Sequence, residues 1–457
     1  MKAVVIGGGI GGYTCAIRLA QLGAETILVE KDQLGGTCLN RGCIPTKALL
    51  HTARLYRDMC AAEDIGISAE GVTLDHAKAM EHKDSIVAKL RGGVGFLMKK
   101  NRVRVIEGEA EFVSGSAVRV QTAGGTEDIE ADAFVVATGS VPSDIGAAPR
   151  DGVSILDSTD ILSLSQRPES LAVLGGGVIG CEMAQAFAMM GTKVTVIEVL
   201  PRLLANMDKD LSAVMEKTLK KDGVDVRTST ALRSAEAAGN SVRIVLGGGE
   251  EEQVIEAEKL LVSVGRKPNT DGLRLENASV DTGEKGEVIV DEYMRTSAPN
   301  IYAVGDVTGG PLQLAHTASH QGLVAAANIM GEEREWDGRF VPACVYTFPE
   351  LASIGETEES ADRPVSTGRF PVSANGRSMI EGCADGFAKI VTDEEDGMII
   401  GIQIAAPFAT EMISGMSGIV AFEADTDDVS DWVFAHPSVS EIIGEAVLDV
   451  GGMAIHK

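Results

Sequence analysis

At 457 residues, with 44% hydrophobic and 23% charged side chains, the chain is too long for one core and too apolar for disorder, so roughly two to four globular domains are expected. A formal net charge of -27 argues against nucleic acid and an anionic membrane surface as partners, because no basic surplus exists to neutralise phosphates. The seven cysteines, at 15, 38, 43, 60, 181, 344 and 383, are odd in number and thinly spread, which speaks against a disulfide scaffold and for a reducing compartment.

The chain opens Met1-Lys2-Ala3-Val4-Val5-Ile6-Gly7, a strand entering a glycine turn with no signal or transit pattern ahead of it, and a cytoplasmic protein is expected. Residues Ala3 to Ile6 read as a strand, Gly7 to Gly12 as a turn, the next stretch to about Gly23 as a helix, and Thr26 to Val29 as a strand ending in Glu30. This is G-x-G-x-x-G at Gly7, Gly9 and Gly12, with an acid 23 positions after the first glycine. Glycines let the backbone approach a pyrophosphate, the helix N-terminus supplies amide donors and a positive dipole, and the acid accepts hydrogen bonds from a ribose. A dinucleotide site is expected here.

Next comes Gly35-Gly36-Thr37-Cys38-Leu39-Asn40-Arg41-Gly42-Cys43-Ile44-Pro45-Thr46-Lys47. In a regular helix, residues five apart have Cα atoms roughly 8 to 9 Å distant, whereas a disulfide spans about 4.4 to 6.8 Å. A bridge between Cys38 and Cys43 therefore requires irregular backbone. Gly42 permits unusual dihedrals, and Pro45 suits the first turn of a helix starting near Lys47. Taken alone, the pair also reads as two ordinary buried thiols.

Helical periodicity runs from about Lys47 to Ala62 and from about Leu74 to Asn101, and Val103 to Ile106 reads as a strand. The runs Ala117 to Gln121 and Ile129 to Val136 read as antiparallel strands, the second leading into the small-residue turn Ala137-Thr138-Gly139. Pro142 and Pro149 mark a boundary. Then the opening pattern repeats: strand Leu171 to Leu174, glycines at 175, 177 and 180, a helix to about Gly191, and strand Lys193 to Ile197 ending in Glu198. Gly7 to Glu30 and Gly175 to Glu198 both span 23 positions, so two dinucleotides are implied. An acid at the end of the second strand repels a 2′-phosphate, and Glu198 selects NAD over NADP. The apolar window Leu171 to Gly191 is better explained by this β-turn-α unit than by a membrane span.

Short strands occupy about 224 to 262, with a hairpin signal at Gly247-Gly248-Gly249. Asn300 to Gly305 is an apolar strand ending in Asp306, placed to hold a ribityl or ribose hydroxyl. From Phe340 onward strands alternate with helices and no glycine fingerprint occurs. His436-Pro437-Ser438-Val439-Ser440-Glu441 puts a histidine at a helix entrance with a carboxylate within a turn. A carboxylate on one imidazole nitrogen fixes the tautomer and leaves the other free to trade protons.

The cysteine stretch, Ala137-Thr138-Gly139, Gly265-Arg266-Lys267-Pro268-Asn269, Gly305-Asp306 and His436 to Glu441 together resemble the flavin-dependent pyridine nucleotide-disulfide oxidoreductases, over essentially the whole chain and in the expected order. Cys-Leu-Asn-x-Gly-Cys-Ile-Pro-Thr-Lys looks like the lipoamide branch rather than the glutathione branch, and Glu198 agrees. The resemblance implies an α/β fold of two Rossmann-like dinucleotide-binding domains plus a C-terminal α+β dimerisation domain. Residues 1-144 would begin the FAD domain, 145-262 form the NAD domain, 263-337 complete the FAD or central domain, and 338-457 form the interface domain.

The resemblance also implies roles. Cys38 exchanges with the substrate, Cys43 lies against the flavin as a charge-transfer thiolate, and Lys47 sits near the flavin's reactive nitrogen with Glu182 as its ion-pair partner. His436 is the acid-base catalyst, Glu441 its orienting carboxylate, and the histidine serves the disulfide of the other subunit, so a homodimer is implied. FAD takes Gly7, Gly9, Gly12, Glu30, Gly36, Thr37, Lys47, Ala110, Thr138, Gly139, Asp306 and Ala315; NAD takes Gly175, Gly177, Gly180, Glu198 and Gly265. The implied reaction is oxidation of a dihydrolipoyl dithiol, carried on a lipoyl domain or carrier protein of a 2-oxoacid dehydrogenase or glycine-cleavage system, by NAD⁺. A sister enzyme acting on another disulfide is the alternative. Cys15, Cys60, Cys181, Cys344 and Cys383 have no matched role, and buried packing is expected of them.

Overall fold

A computed structural model describes residues 1–247, 252–310 and 313–457; Gly248 and Gly249 of the expected hairpin lie outside the described residues. The chain divides into two compact units, one of residues 1–48, 77–143 and 265–338, the other of residues 49–76, 144–264 and 339–457. Among the described residues the helices are α1 (Ile10–Gln21), α2 (Gly36–Arg41), α3 (Cys43–Cys60), α4 (His76–Lys100), α5 (Val178–Met189), α6 (Lys209–Lys221), α7 (Ala315–Ile329), α8 (Gly376–Ile380), α9 (Ala409–Ala421), α10 (Thr426–Ser430) and α11 (Glu441–Val450). None of these is long and apolar enough to cross a membrane.

The first unit is organised on five parallel strands in the order Arg104–Glu107, Glu25–Glu30, Lys2–Ile6, Ala133–Val136, Ile301–Ala303. Ala3 to Ile6 and Ala133 to Val136 are buried throughout. That is why both read as unbroken apolar runs: a parallel sheet is covered on both faces. One cover is α1 packed on α7, so closely that a Cβ on Gly322 would fall 2.5 Å from the Gly11 carbonyl oxygen. A second is a three-stranded antiparallel sheet, Glu109–Ser114, Ala117–Thr122 and Gly125–Glu130, whose Phe112 meets Phe134 of the parallel sheet edge to face at 5.6 Å.

The run Ile129 to Val136 is therefore not one antiparallel strand. Gly125–Glu130 pairs with Ala117–Thr122, whereas Ala133–Val136 leaves for the parallel sheet beside Lys2–Ile6. Asp132, whose carboxylate accepts from the Lys2 amide at 2.7 Å, marks the break. The apolar pattern does not register such a switch, because Ile129, buried in one sheet, runs on into the fully buried Ala133–Val136 of the other.

In the second unit the order is Asp225–Arg227, Lys193–Ile197, Ser170–Leu174, Lys259–Val262, Ile155–Leu156, again all parallel and again with the strand before the glycine turn at the centre. A three-stranded antiparallel sheet, Ala231–Ala238, Ser241–Gly247 and Gln253–Ala257, contributes to its core. Residues beyond 340 form an antiparallel sheet ordered Ala343–Val345, Glu350–Gly355, Ile399–Ala406, Phe387–Asp393, Val365–Pro371, with α9 and α11 sharing its core.

Within this unit Lys389, only 2% exposed, extends its ammonium to Asp208 at 2.7 Å, Asp210 at 2.8 Å and Glu358 at 2.9 Å. Burial works against the charged lysine, but the three carboxylates outweigh it and hold its pKa above the usual value. Asp208 also caps α6 by accepting from the Asp210 amide at 2.8 Å. Removing the cation alone strands the buried carboxylate of Asp208, with Asp210 and Glu358 partly exposed beside it, which costs about 3 to 5 kcal/mol. Lys389→Met is expected to lower unfolding free energy by about that amount, read from urea denaturation at pH 7. An unchanged midpoint would show that the cluster does not stabilise this unit.

Candidate active site

The cysteine stretch is two helices with one break. α2 ends at Arg41, Gly42 leaves the helical region at φ −141 and ψ −111, and α3 begins at Cys43 with Pro45 in its first turn. A Cβ on Gly42 would stand 3.0 Å from the Thr37 carbonyl oxygen and 3.3 Å from the Cys38 Cα. Glycine there lets α3 close up against the previous turn, which relieves the five-residue spacing. Cys38 and Cys43 are both half-buried. The hydrogen bond between them is the largest influence raising the Cys38 pKa, burial and the charge of Cys43 add to it, and the nearby Lys47 ammonium opposes them.

This stretch is fastened to the first glycine turn. The Gly35 amide donates to the Gly8 carbonyl at 2.8 Å, and a Cβ on Gly36 would lie 2.6 Å from the Gly9 Cα. Asn40 donates to the carbonyls of Leu34 and Gly36, both at 3.0 Å, Arg41 is ion-paired with Asp32, and Leu39 and Ile44 pack with Val87 and Val94 of α4. Thr37 follows Gly36 in the first turn of α2.

The two glycine turns repeat each other atom for atom. Glu30 accepts the Gly8 amide at 2.6 Å on Oε2 and the Asp32 amide at 2.7 Å on Oε1; Glu198 accepts the Gly176 amide at 2.6 Å and the Leu200 amide at 2.7 Å in the same way. Burial raises the Glu30 pKa against the Gly8 and Lys31 amides and the charges of Arg41 and Lys31. A Cβ on Gly12 would sit 1.9 Å from the Gly7 oxygen and one on Gly180 1.9 Å from the Gly175 oxygen, so neither position admits a side chain. The N-caps of α1 and α5 are Gly9 and Gly177, which offer no capping side chain. A Cβ at Gly177 would meet nothing within 4 Å, and one at Gly9 only the Gly36 Cα at 3.9 Å. Open helix N-termini flanked by a carboxylate fit the pyrophosphate and ribose of a dinucleotide.

Around the first turn the other expected positions are fixed by bonds that the sequence did not disclose. Asp306 accepts from the Ser140 hydroxyl at 2.5 Å, and Arg266 donates to that hydroxyl and to the Ser140 carbonyl, each at 2.7 Å. Thr138 spends its hydroxyl on the Asn269 carbonyl at 2.7 Å, while the Asn269 amide donates to the Gly139 carbonyl at 2.9 Å. Gln321 accepts from the Gly305 amide at 2.8 Å. Ser140, Arg266, Asn269 and Gln321 carried no individual expectation; the polar run Arg266 to Asn269 directly after Gly265 was their one signal. Ala315 opens α7, and Ala110 buries its side chain in the core. Gly265, at φ +111, accepts on its carbonyl from the Ser143 amide and belongs to the first unit.

The second unit holds the remaining candidates. Glu182 of α5, 2% exposed, accepts from the Tyr346 amide at 2.9 Å, and Gln185 one turn on accepts from the Phe348 amide at 2.8 Å. His436 Nδ1 lies 2.8 Å from Glu441 Oε1, and Glu441 Oε2 accepts the Ser438 amide at 2.8 Å. Burial pushes the Glu441 pKa up, but the Ser438 amide and the His436 ring outweigh it and hold the carboxyl below its usual range. The imidazole is 82% exposed, oriented by one nitrogen with the ring turned to the surface.

Of the other cysteines, Cys15, Cys181 and Cys383 are buried, and burial pushes the Cys15 thiol up to about 12 and that of Cys383 to about 11. Cys60 departs from the expectation of burial: it ends α3 on an exposed turn. Cys344 is half-buried.

Residues 1–322 match the family model of pyridine nucleotide-disulphide oxidoreductases, and residues 341–447 match the dimerisation domain of the same family. The chain is 41% identical over 461 residues to a dihydrolipoyl dehydrogenase of Bacillus subtilis, covering 100% of both, and 42% identical over 460 residues to one of Geobacillus stearothermophilus, covering 100% of this chain and 97% of that one. Among solved structures it is similar to LpdA from Mycobacterium tuberculosis, at TM-score 0.91 and 28% identity over 98% of this chain and 99% of that one. It is also similar to the HOCl-induced flavoprotein disulfide reductase RclA from Escherichia coli, at TM-score 0.86 and 30% identity over 98% and 99%. The glycine turns, the paired thiols and these matches agree: the chain belongs to the pyridine nucleotide-disulphide oxidoreductase family.

Proposed function

We propose that this protein is a dihydrolipoyl dehydrogenase, oxidising a dihydrolipoyl dithiol to the disulfide and delivering two electrons to NAD⁺ as NADH, with one proton released. The observation that carries the reading is the hydrogen-bonded contact of Cys38 with Cys43 beside Lys47, supported by relatives of about the same length throughout.

In the oxidised enzyme Cys38 and Cys43 are joined. His436, oriented by Glu441, takes a proton from one substrate thiol, since only the thiolate attacks a disulfide. That thiolate attacks the Cys38 sulfur, the Cys38–Cys43 bond breaks, and Cys43 leaves as a thiolate stabilised by Lys47. The second substrate thiol then displaces Cys38, its proton passing to the departing Cys38 sulfur, so that the substrate disulfide forms and the enzyme is left with the Cys38 thiol, the Cys43 thiolate and a protonated His436. Bound FAD supplies two-electron chemistry linking that pair to NAD⁺. Gly7, Gly9, Gly12, Glu30, Gly36, Thr37, Lys47, Ala110, Thr138, Gly139, Asp306 and Ala315 hold the flavin nucleotide. Gly175, Gly177, Gly180, Glu198 and Gly265 hold NAD, and Glu182 is the ion-pair partner of Lys47.

The enzyme works as a homodimer through residues 341–447, with His436 of one chain serving the cysteine pair of the other. The substrate arrives on a lipoyl domain or carrier protein in the cytoplasm. A second reading, reduction of a different disulfide by a nicotinamide nucleotide, is favoured by the similarity to the disulfide reductase RclA.

Three outcomes are expected. Cys38→Ser and Cys43→Ser each abolish NAD⁺ reduction by dihydrolipoamide in a steady-state assay while the protein keeps its FAD; undiminished turnover in either would remove the disulfide mechanism. His436→Gln lowers kcat by about 10²- to 10⁴-fold, the range for loss of a general acid-base. Glu198→Ala lowers the ratio of kcat/KM for NAD⁺ over NADP⁺ by about 10- to 100-fold, and an unchanged ratio would place nucleotide selection elsewhere.

A further inference from the structure

α11 carries two carboxylate–imidazole pairs one turn apart. His436 meets Glu441 at its start, and Glu445 meets His456, Nδ1 to Oε1, at 2.6 Å. The second pair is built rather than casual. After α11 the chain reverses at Gly451-Gly452, with the Gly452 amide donating to the Asp449 carbonyl and the Met453 amide to that of Leu448, both at 2.9 Å. Glu445 Oε2 then accepts the amides of Ile455 at 2.9 Å and His456 at 3.2 Å, and Lys457 Nζ lies 2.6 Å from Asp449. The Glu445 side chain is 13% exposed, so its charge is poorly screened.

Residues i and i+4 are neighbours on a helix, and two carboxylates so placed repel each other. Glu441 and Glu445 are such a pair. Uncompensated, Glu445 would add negative charge beside the carboxylate that orients His436.

We propose that Glu445 and His456 are a positioning pair for the proton-transferring dyad: His456 neutralises Glu445 and fastens the returning chain, so that Glu441 serves His436 alone. This rests on the reading of His436 as the acid-base group. The charges of both imidazoles act on Glu441. The elements packed on α11 carry other charges. Arg369 lies over Phe387 at 4.2 Å and near Asp210 at 3.9 Å, while its amide meets Asp449. Lys389 sits in its own carboxylate cluster, and Asp393 takes Arg363 at 2.7 Å. Asp428 closes the capping box of α10, and Asp427 lies in that helix's first turn.

Signs follow from charge. Where imidazoles carry protons, His456→Gln leaves Glu445 bare, favours the protonated form of His436, and moves the acid limb of the rate profile to higher pH. Glu445→Gln removes negative charge and moves it to lower pH. The test uses the holoenzyme dimer with His456→Gln, Glu445→Gln, the double variant and His456→Lys. Two quantities are followed against pH: kcat/KM for dihydrolipoamide with NAD⁺, and the rate of His436 carbethoxylation by diethyl pyrocarbonate, read by peptide mass spectrometry. The expected result is opposite displacement of the single variants by roughly 0.3 pH unit, with the double variant and His456→Lys near the parent in both readouts. Displacements in the same direction, or none, with lowered thermal stability would reduce the pair to a structural clasp and overturn the proposal. If dihydrolipoamide is not oxidised at all, the functional reading fails, and the carbethoxylation profiles still decide the coupling.

Discussion

The contact between two thiols across a broken helix is the constraint on which the rest depends. A continuous helix would hold Cys38 and Cys43 too far apart to exchange a bond, and a loose loop would hold them together only part of the time. The chain does neither: it keeps helix on both sides and surrenders helical geometry at Gly42 alone. What remains is to keep the break in place. The Gly8–Gly35 hydrogen bond, the Asn40 clasps and the packing of Leu39 and Ile44 on α4 do that, and they also tie the thiols to the first glycine turn.

The same physical solution appears in both glycine turns. Each turn places a glutamate at a strand end, satisfies both carboxylate oxygens with backbone amides, and leaves a helix N-terminus uncapped. A carboxylate so held is preorganised: its orientation is set by the backbone before any ligand arrives. The two copies differ in what surrounds them: the first is next to the cysteine stretch, the second is followed by the exposed apolar pair Val199 and Leu200.

How much of this was legible depends on the range of the interaction. Gly7, Gly9, Gly12 and their counterparts are dictated by contacts within one β-turn-α unit, so pattern and spacing reveal them. The His436–Glu441 bond is equally local, five positions apart. The Asp306–Ser140–Arg266 chain joins residues 166 and 126 positions apart, and no periodicity encodes such a meeting. The break at Asp132 was hidden because two short strands of different sheets happened to continue one apolar pattern. Cys60 was misjudged because its residue type favours burial while its place at the end of a helix favours exposure. The burial of Lys389 likewise follows from three acids in distant segments, a meeting that strand periodicity does not encode.

The central claim is that the Cys38–Cys43 pair carries the electrons of the substrate, and differential alkylation tests it most directly. The oxidised holoenzyme is treated anaerobically with one equivalent of dihydrolipoamide, quenched with iodoacetamide and mapped by peptide mass spectrometry, with an untreated sample alongside. The account predicts that Cys38 and Cys43 resist label before reduction and take it afterwards, that Cys60 takes it in both samples, and that NADH forms when NAD⁺ is added instead of the quench. Conversion of the substrate to its disulfide with no change in labelling at Cys38 and Cys43 would contradict it.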